Sequence, residues 1–63
     1  GLTLDVMRLP TKYREVVLLY YYENMTTTDV AEALGVSQST VSSRLARARA
    51  RLRQILEGGL EDE

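Results

Sequence analysis

Five arginines, Arg44, Arg47, Arg49, Arg51 and Arg53, fall within a span of ten residues, and no acid occurs anywhere from Val36 to Leu56. A guanidinium is a permanently charged fork of N–H donors, matched in shape to phosphate oxygens and to the acceptor edge of guanine. Between the arginines sit small residues, Ser39, Ser42, Ser43, Ala46 and Ala50. Just ahead lie Ser37, Gln38 and Thr40, whose hydroxyl and amide groups both donate and accept. Such a mixture suits contact with a polyanion whose interior edges carry information. The competing reading is an ordinary solvated helix face, and arginine flanks taken alone favour it. A stretch of 21 residues with one sign of charge argues the other way, because solubility alone would mix signs.

The whole chain carries a net charge of −1, which at first speaks against nucleic acid. The distribution of the charges points the opposite way. Residues 1–35 hold three bases and five acids, residues 36–56 hold five bases and no acid, and residues 57–63 hold four acids. Segregation of this kind makes an electrostatic footprint that the net charge conceals.

The elements that must position these groups are short and helical. Leu2 to Arg8 fits a weak helix with Leu4 and Met7 on one side, broken at Leu9-Pro10 because the residue before proline disfavours the α region. Proline opens the next helix, expected from about Pro10 to Glu23, with Tyr13, Val16, Val17, Leu19 and Tyr20 facing inward. The run VVLLYYY would also suit a strand, but nothing else in the chain offers a partner strand. Asn24-Met25 makes a turn. Thr26 and Asp29 form a capping-box pattern, and a helix to Leu34 turns Val30, Ala31 and Leu34 inward. Gly35 supplies a left-handed turn residue, Val36 plugs the core, and Ser37 caps a final helix. That helix repeats Val41, Leu45, Ala48, Leu52 and Ile55 or Leu56 at helical spacing, and Gly58-Gly59 ends it.

At about 100° per residue, Arg44, Arg47 and Arg51 lie along one flank of the apolar stripe and Arg49 and Arg53 along the other. The small residues face away from the core between them. Little bulk toward the base edges and long cations on both shoulders is the layout of a helix in the major groove. Gln38, Ser39, Ser42, Ser43 and Arg47 are the candidates for base contact. Ser37 and the helix N-terminus are candidates for a phosphate, whereas Arg44 lies closest to the core and is as suited to pairing with Asp29 or Glu32. A short helix, a glycine turn and a longer basic helix make a helix-turn-helix. The fold class expected is all-α with four helices.

The remaining chemistry is excluded by composition. The 63 residues include no cysteine and no histidine, so disulfides and ordinary zinc sites are out. No catalytic constellation or phosphate-cradling glycine loop exists, and no enzyme activity or cofactor is expected. The longest apolar run, Val16–Tyr22, is too short to span a membrane, and no signal peptide opens the chain, so a cytoplasmic location is expected. The three consecutive tyrosines, Tyr20, Tyr21 and Tyr22, are expected as core and amphipathic surface, not as a stacking platform. Residues 1–63 form one domain, with an ordered core about 3–56 and a frayed acidic tail at 57–63. Its size and the lack of an initiating methionine suit a part of a longer protein.

The string LPTKYREVVLLYYYENMTTTDVAEALGVSQSTVSSRLARARARLR resembles region 4 of bacterial sigma factors, in particular the extracytoplasmic-function (group IV) type. The residues that carry the resemblance are Leu9-Pro10, Arg14-Glu15-Val16, Asp29-Val30-Ala31, Leu34-Gly35-Val36-Ser37 and the run from Thr40 through Ser43-Arg44-Leu45 to Arg47-Ala48-Arg49. It covers about Leu4 to Leu56. Response-regulator helix-turn-helix domains share the first half but usually place a histidine where this chain has Arg44. The resemblance implies a four-helix domain, cut from a longer sigma factor, that reads double-stranded promoter DNA at the −35 element. It also implies docking on the flap of the RNA polymerase β subunit and an anti-sigma protein as a further partner. In the family, positions matching Ser42, Ser43, Ala46 and Arg47 face the bases, and those matching Arg14 and Arg44 lie near the backbone. This chain departs in having Ser42 where a lysine or arginine is frequent and Ala46 where larger side chains occur. Readout of the shape of a narrow, stiff A-tract would fill part of that gap. The alternatives are the DNA-binding output domain of a dimeric, response-regulator-type transcription factor and a helix-turn-helix used only for protein contact.

Overall fold

The computed structural model describes residues 2–57, so Gly58-Gly59 and all of the expected acidic tail except Glu57 lie outside the described residues. Four helices run in order: α1 (Leu2–Met7), α2 (Thr11–Val17), α3 (Thr27–Leu34) and α4 (Gln38–Glu57), with a π-helical continuation of α2 over Leu18–Tyr22. No strand occurs among the described residues.

After α1 the chain tightens. The Arg8 and Leu9 amides donate to the carbonyls of Asp5 and Val6 at 3.1 and 3.0 Å, and this turn sends Leu9 into the core. Met7 is 52% exposed, contrary to the expected inward side, while Val6 is buried. A helix of six residues is too short for its own periodicity to fix a face, so packing against α2 and α4 decides it. Pro10, with ψ 152, precedes α2 as its cap residue, and its carbonyl accepts from the amides of Tyr13 and Arg14.

The expected single α-helix to Glu23 is corrected by the structure. From Leu18 the backbone widens to i→i+5 bonding, with the Glu23 amide on the Leu18 carbonyl at 3.1 Å and the Met25 amide on that of Leu19 at 3.1 Å. Crowded β-branched and aromatic residues have low helix propensity, and the wider turn relieves them. Leu19 and Tyr20 are half-buried against the core, as Leu18 is, while Tyr21 and Tyr22 point outward. Asn24 then reverses the chain at φ 60, a left-handed conformation that asparagine tolerates better than most residues.

The α3 N-terminus carries the expected capping box. Asp29 N–H donates to Thr26 Oγ1 at 3.0 Å, and Thr26 N–H donates to Asp29 Oδ2 at 3.4 Å. Gly35 ends α3 at φ 72, and both its amide and that of Val36 bond the Ala31 carbonyl. Along α4, Val41, Leu45 and Ala48 are buried and Leu52 and Ile55 half-buried, whereas Leu56 is exposed, so the open choice falls to Ile55. One valine from each helix, Val6, Val16, Val30 and Val41, is fully buried. Leu9, Tyr13, Val17, Ala31, Leu45 and Ala48 complete an apolar core, and no polar or charged side chain is buried among the described residues.

Candidate nucleic-acid interface

The face of α4 opposite that core is open. Ser39, Ser42, Ser43, Ala46, Arg47, Arg49, Ala50 and Arg53 are all exposed, and the arc agrees with the one inferred from 100° spacing. Its first turn is held from two directions. Thr40 N–H donates to Ser37 Oγ at 3.1 Å, which makes Ser37 the cap, and Ser37 Oγ also lies 2.9 Å from Thr40 Oγ1 and 3.1 Å from Ser39 Oγ. Gln38 Nε2 donates to Thr27 Oγ1 at 2.7 Å, tying the start of α4 to the start of α3. The side chains of Ser37, Gln38, Ser39 and Thr40 therefore form a preordered polar rim above the open face.

The arginines divide by their surroundings. Arg47 and Arg53 are exposed, with no side-chain partner among the described residues. Arg49 Nη1 donates to Tyr21 Oη at 3.1 Å across to the π-helical segment. Arg51 lies over the Tyr13 ring, its Cζ 5.1 Å from the centroid, with Lys12 Nζ 5.3 Å from the same centroid. Neither contact is foreseen from the sequence. The inward placement of Tyr13 and the flank position of Arg51 are the available signals, but pairing them needs the α2–α4 approach.

Arg44 is half-buried, and among the described residues no ion pair joins it to Asp29 or Glu32. Arg14 stands apart from the rim on α2. Its guanidinium donates to the Met7 carbonyl at 3.4 Å and to Thr11 Oγ1 at 3.3 Å, so it satisfies the end of α1 through long, exposed bonds. Among the described residues no group of acids gathers as it would to hold a metal ion, and no helix is long and apolar enough to cross a membrane.

The family model for sigma-70, region 4 matches residues 6–52, from the first buried valine to the half-buried leucine of α4. The chain belongs to that family. It is a DNA-binding helix-turn-helix domain of a sigma factor. Among its relatives, the RNA polymerase sigma-E factor of Streptomyces antibioticus is 51% identical over 58 residues, 90% of this chain and 32% of that protein. The RNA polymerase sigma factor SigZ of Bacillus subtilis is 42% identical over 84% of this chain and 30% of its own length. The ECF RNA polymerase sigma factor SigM of Mycobacterium tuberculosis is 45% identical over 81% of this chain and 26% of its length. The chain thus spans about a third of the sigma-E and SigZ relatives it matches. No solved structure matches it at a significant level. Sigma-factor relatives do not favour the dimeric-regulator alternative for this region 4 domain.

Proposed function

We propose that this domain reads the −35 promoter element in double-stranded DNA, with the first two or three turns of α4 in the major groove, as one part of a longer sigma factor. The observation that carries the reading is the exposed face of α4, small residues flanked by exposed arginines, set at an angle to α3 by the Gly35 turn. A groove about 12 Å wide admits one helix, and α4 at 20 residues is about 30 Å long, so only its N-terminal half reaches bases.

In that pose Ser39, Ser42, Ser43 and Ala46 approach base edges and Arg47 is the longest donor among them. Ser37, Thr40 and the α4 N-terminus, whose first amides have no intrahelical acceptor, meet a phosphate. Gln38 has its second role as the strut to Thr27. Arg44 and Arg14 lie toward the backbone, Arg14 after giving up its long bonds to Met7 and Thr11. Readers of short, small-residue contacts depend on DNA shape as well as on hydrogen bonds, so a stiff, narrow-grooved site fits this face.

The partners that go with this reading are core RNA polymerase, through its β-subunit flap, and an anti-sigma protein, all in the cytoplasm. An apolar hollow of about 210 Å³ lined by Val6, Val17, Tyr21, Tyr22, Arg49 and Leu52 offers a surface for the flap. It lies on the α1–α2 side of α4, away from the small-residue face.

Selection from a pool of random duplexes, followed by fluorescence anisotropy at low and moderate salt, tests the DNA role. An asymmetric enriched site whose affinity falls steeply with salt is the expected outcome. A palindromic site bound by a dimer would move the assignment to the regulator class, and no binding at any salt would remove the DNA role.

A further inference from the structure

A wide hollow, about 550 Å³, lies where α4 ends, between the last turns of that helix and the α1–α2 turn. Leu9, Pro10 and Ile55 line its apolar part, and Arg8, Arg51 and Gln54 its polar edge, with Glu57 at the exit. Ile55 is only half-buried and stands outside the core cluster, so the hollow has apolar surface to spare. Arg8 has no side-chain partner among the described residues, and Arg51 touches only the face of a neutral tyrosine there.

The six residues that follow Glu57 are Gly-Gly-Leu-Glu-Asp-Glu. We propose that this segment, Gly58–Glu63, folds back into the hollow, placing Leu60 against Leu9, Pro10 and Ile55 and its three acids beside Arg8 and Arg51. Three features select this occupant. The segment starts at the rim, since Glu57 itself lines the hollow. At about 3.3–3.6 Å per residue, six residues reach roughly 20 Å, ample for an opening next to their origin. Gly58 and Gly59 accept the positive φ that a reversal at a helix C-terminus requires. The charges are complementary: one leucine among three acids faces an apolar floor with two cations at its edge. Glu57 opposes the acids, and Arg8 and Arg51 outnumber it.

An intramolecular contact of this kind needs little intrinsic strength, because a short tether supplies an effective concentration in the millimolar range. Docking withholds Arg8 and Arg51 from other anions, so the positive charge left for an external partner is concentrated at the N-terminal half of α4.

The chain contains no cysteine, so Glu63→Cys carrying a nitroxide label puts a single paramagnetic probe at the end of the segment. The amide signals of Arg8 and Leu9 are then read in the full chain. The expected result is strong broadening at both, largely relieved by Leu60→Ser and by about 1 M salt, where the screening length falls to about 3 Å. Circular dichroism should be unchanged in the Leu60→Ser variant, which removes a side chain outside the core. Broadening of equal size with and without Leu60 is what an undocked tail passing nearby would give, and would overturn the proposal. Broadening centred on Ser42–Arg47 instead would place the tail on the opposite face and overturn it equally.

Discussion

A single arginine separates reading a base from holding a phosphate. Arg47 is exposed beside Ser43 and Ala46 and unengaged among the described residues, so its guanidinium keeps its donors for a ligand. Arg47→Ala should cost about 1–3 kcal/mol in DNA affinity and blur preference at one base position. Equal losses on the selected site and on scrambled DNA, measured by anisotropy titration, would reassign it to the backbone. Ser37 is a different case, because its hydroxyl serves the fold first. Its Oγ accepts from the Thr40 amide at the start of α4, and Ser37→Ala should lower stability by about 0.5–2 kcal/mol in urea denaturation. A stability change within experimental error would mean that solvent replaces the cap at no cost. Arg51 shows what a sequence does not disclose at this scale. On a helical wheel it belongs with Arg44 and Arg47, but in space it lies over the Tyr13 ring, and only the meeting of α2 and α4 decides between the two.

Elements were legible where their signals are local. The capping box at Thr26 and Asp29, the left-handed Gly35 and the Val41-Leu45-Ala48 stripe each depend on residues three or four apart, and each appears as expected. The inner side of α1 was not legible, since six residues carry too little periodicity and the turn to Leu9 sets the outcome. Nor was the widening at Leu18–Tyr22, where an ordinary helix and a strand both competed for the same apolar run. The π-helical turn holds one residue more than an α-helical turn would. Deleting one of the three consecutive tyrosines should therefore leave a folded domain, the segment closing to regular α-helix. Deleting Ala46 from α4 rotates everything beyond it by about 100°, and should lower the melting temperature far more. Comparable losses from the two deletions, followed by circular dichroism, would show that the wide turn is needed as it stands.

For the whole molecule, the small-residue face and the basic flank were legible as an arrangement, because they follow from the phase of one long helix. The partition of the arginines into free and engaged was not, because it needs tertiary neighbours. Stability at this size is slender: 63 residues at about 0.05–0.15 kcal/mol each give roughly 3–9 kcal/mol. Val41→Ala should remove on the order of 2 kcal/mol of that. Combining it with Val16→Ala should bring much of the population to the unfolded state, with all helices lost in a single thermal transition. Persistence of α4 helicity after the rest has melted would contradict a shared core. The four buried valines, one per helix, also limit what can be transplanted. A segment cut at Thr26 would carry Val30 and Val41 away from Val6 and Val16 and leave both with half of their neighbours. The helix-turn-helix cannot be lent to another protein as a loose part, and recombination that respects folding must move it together with α1 and α2.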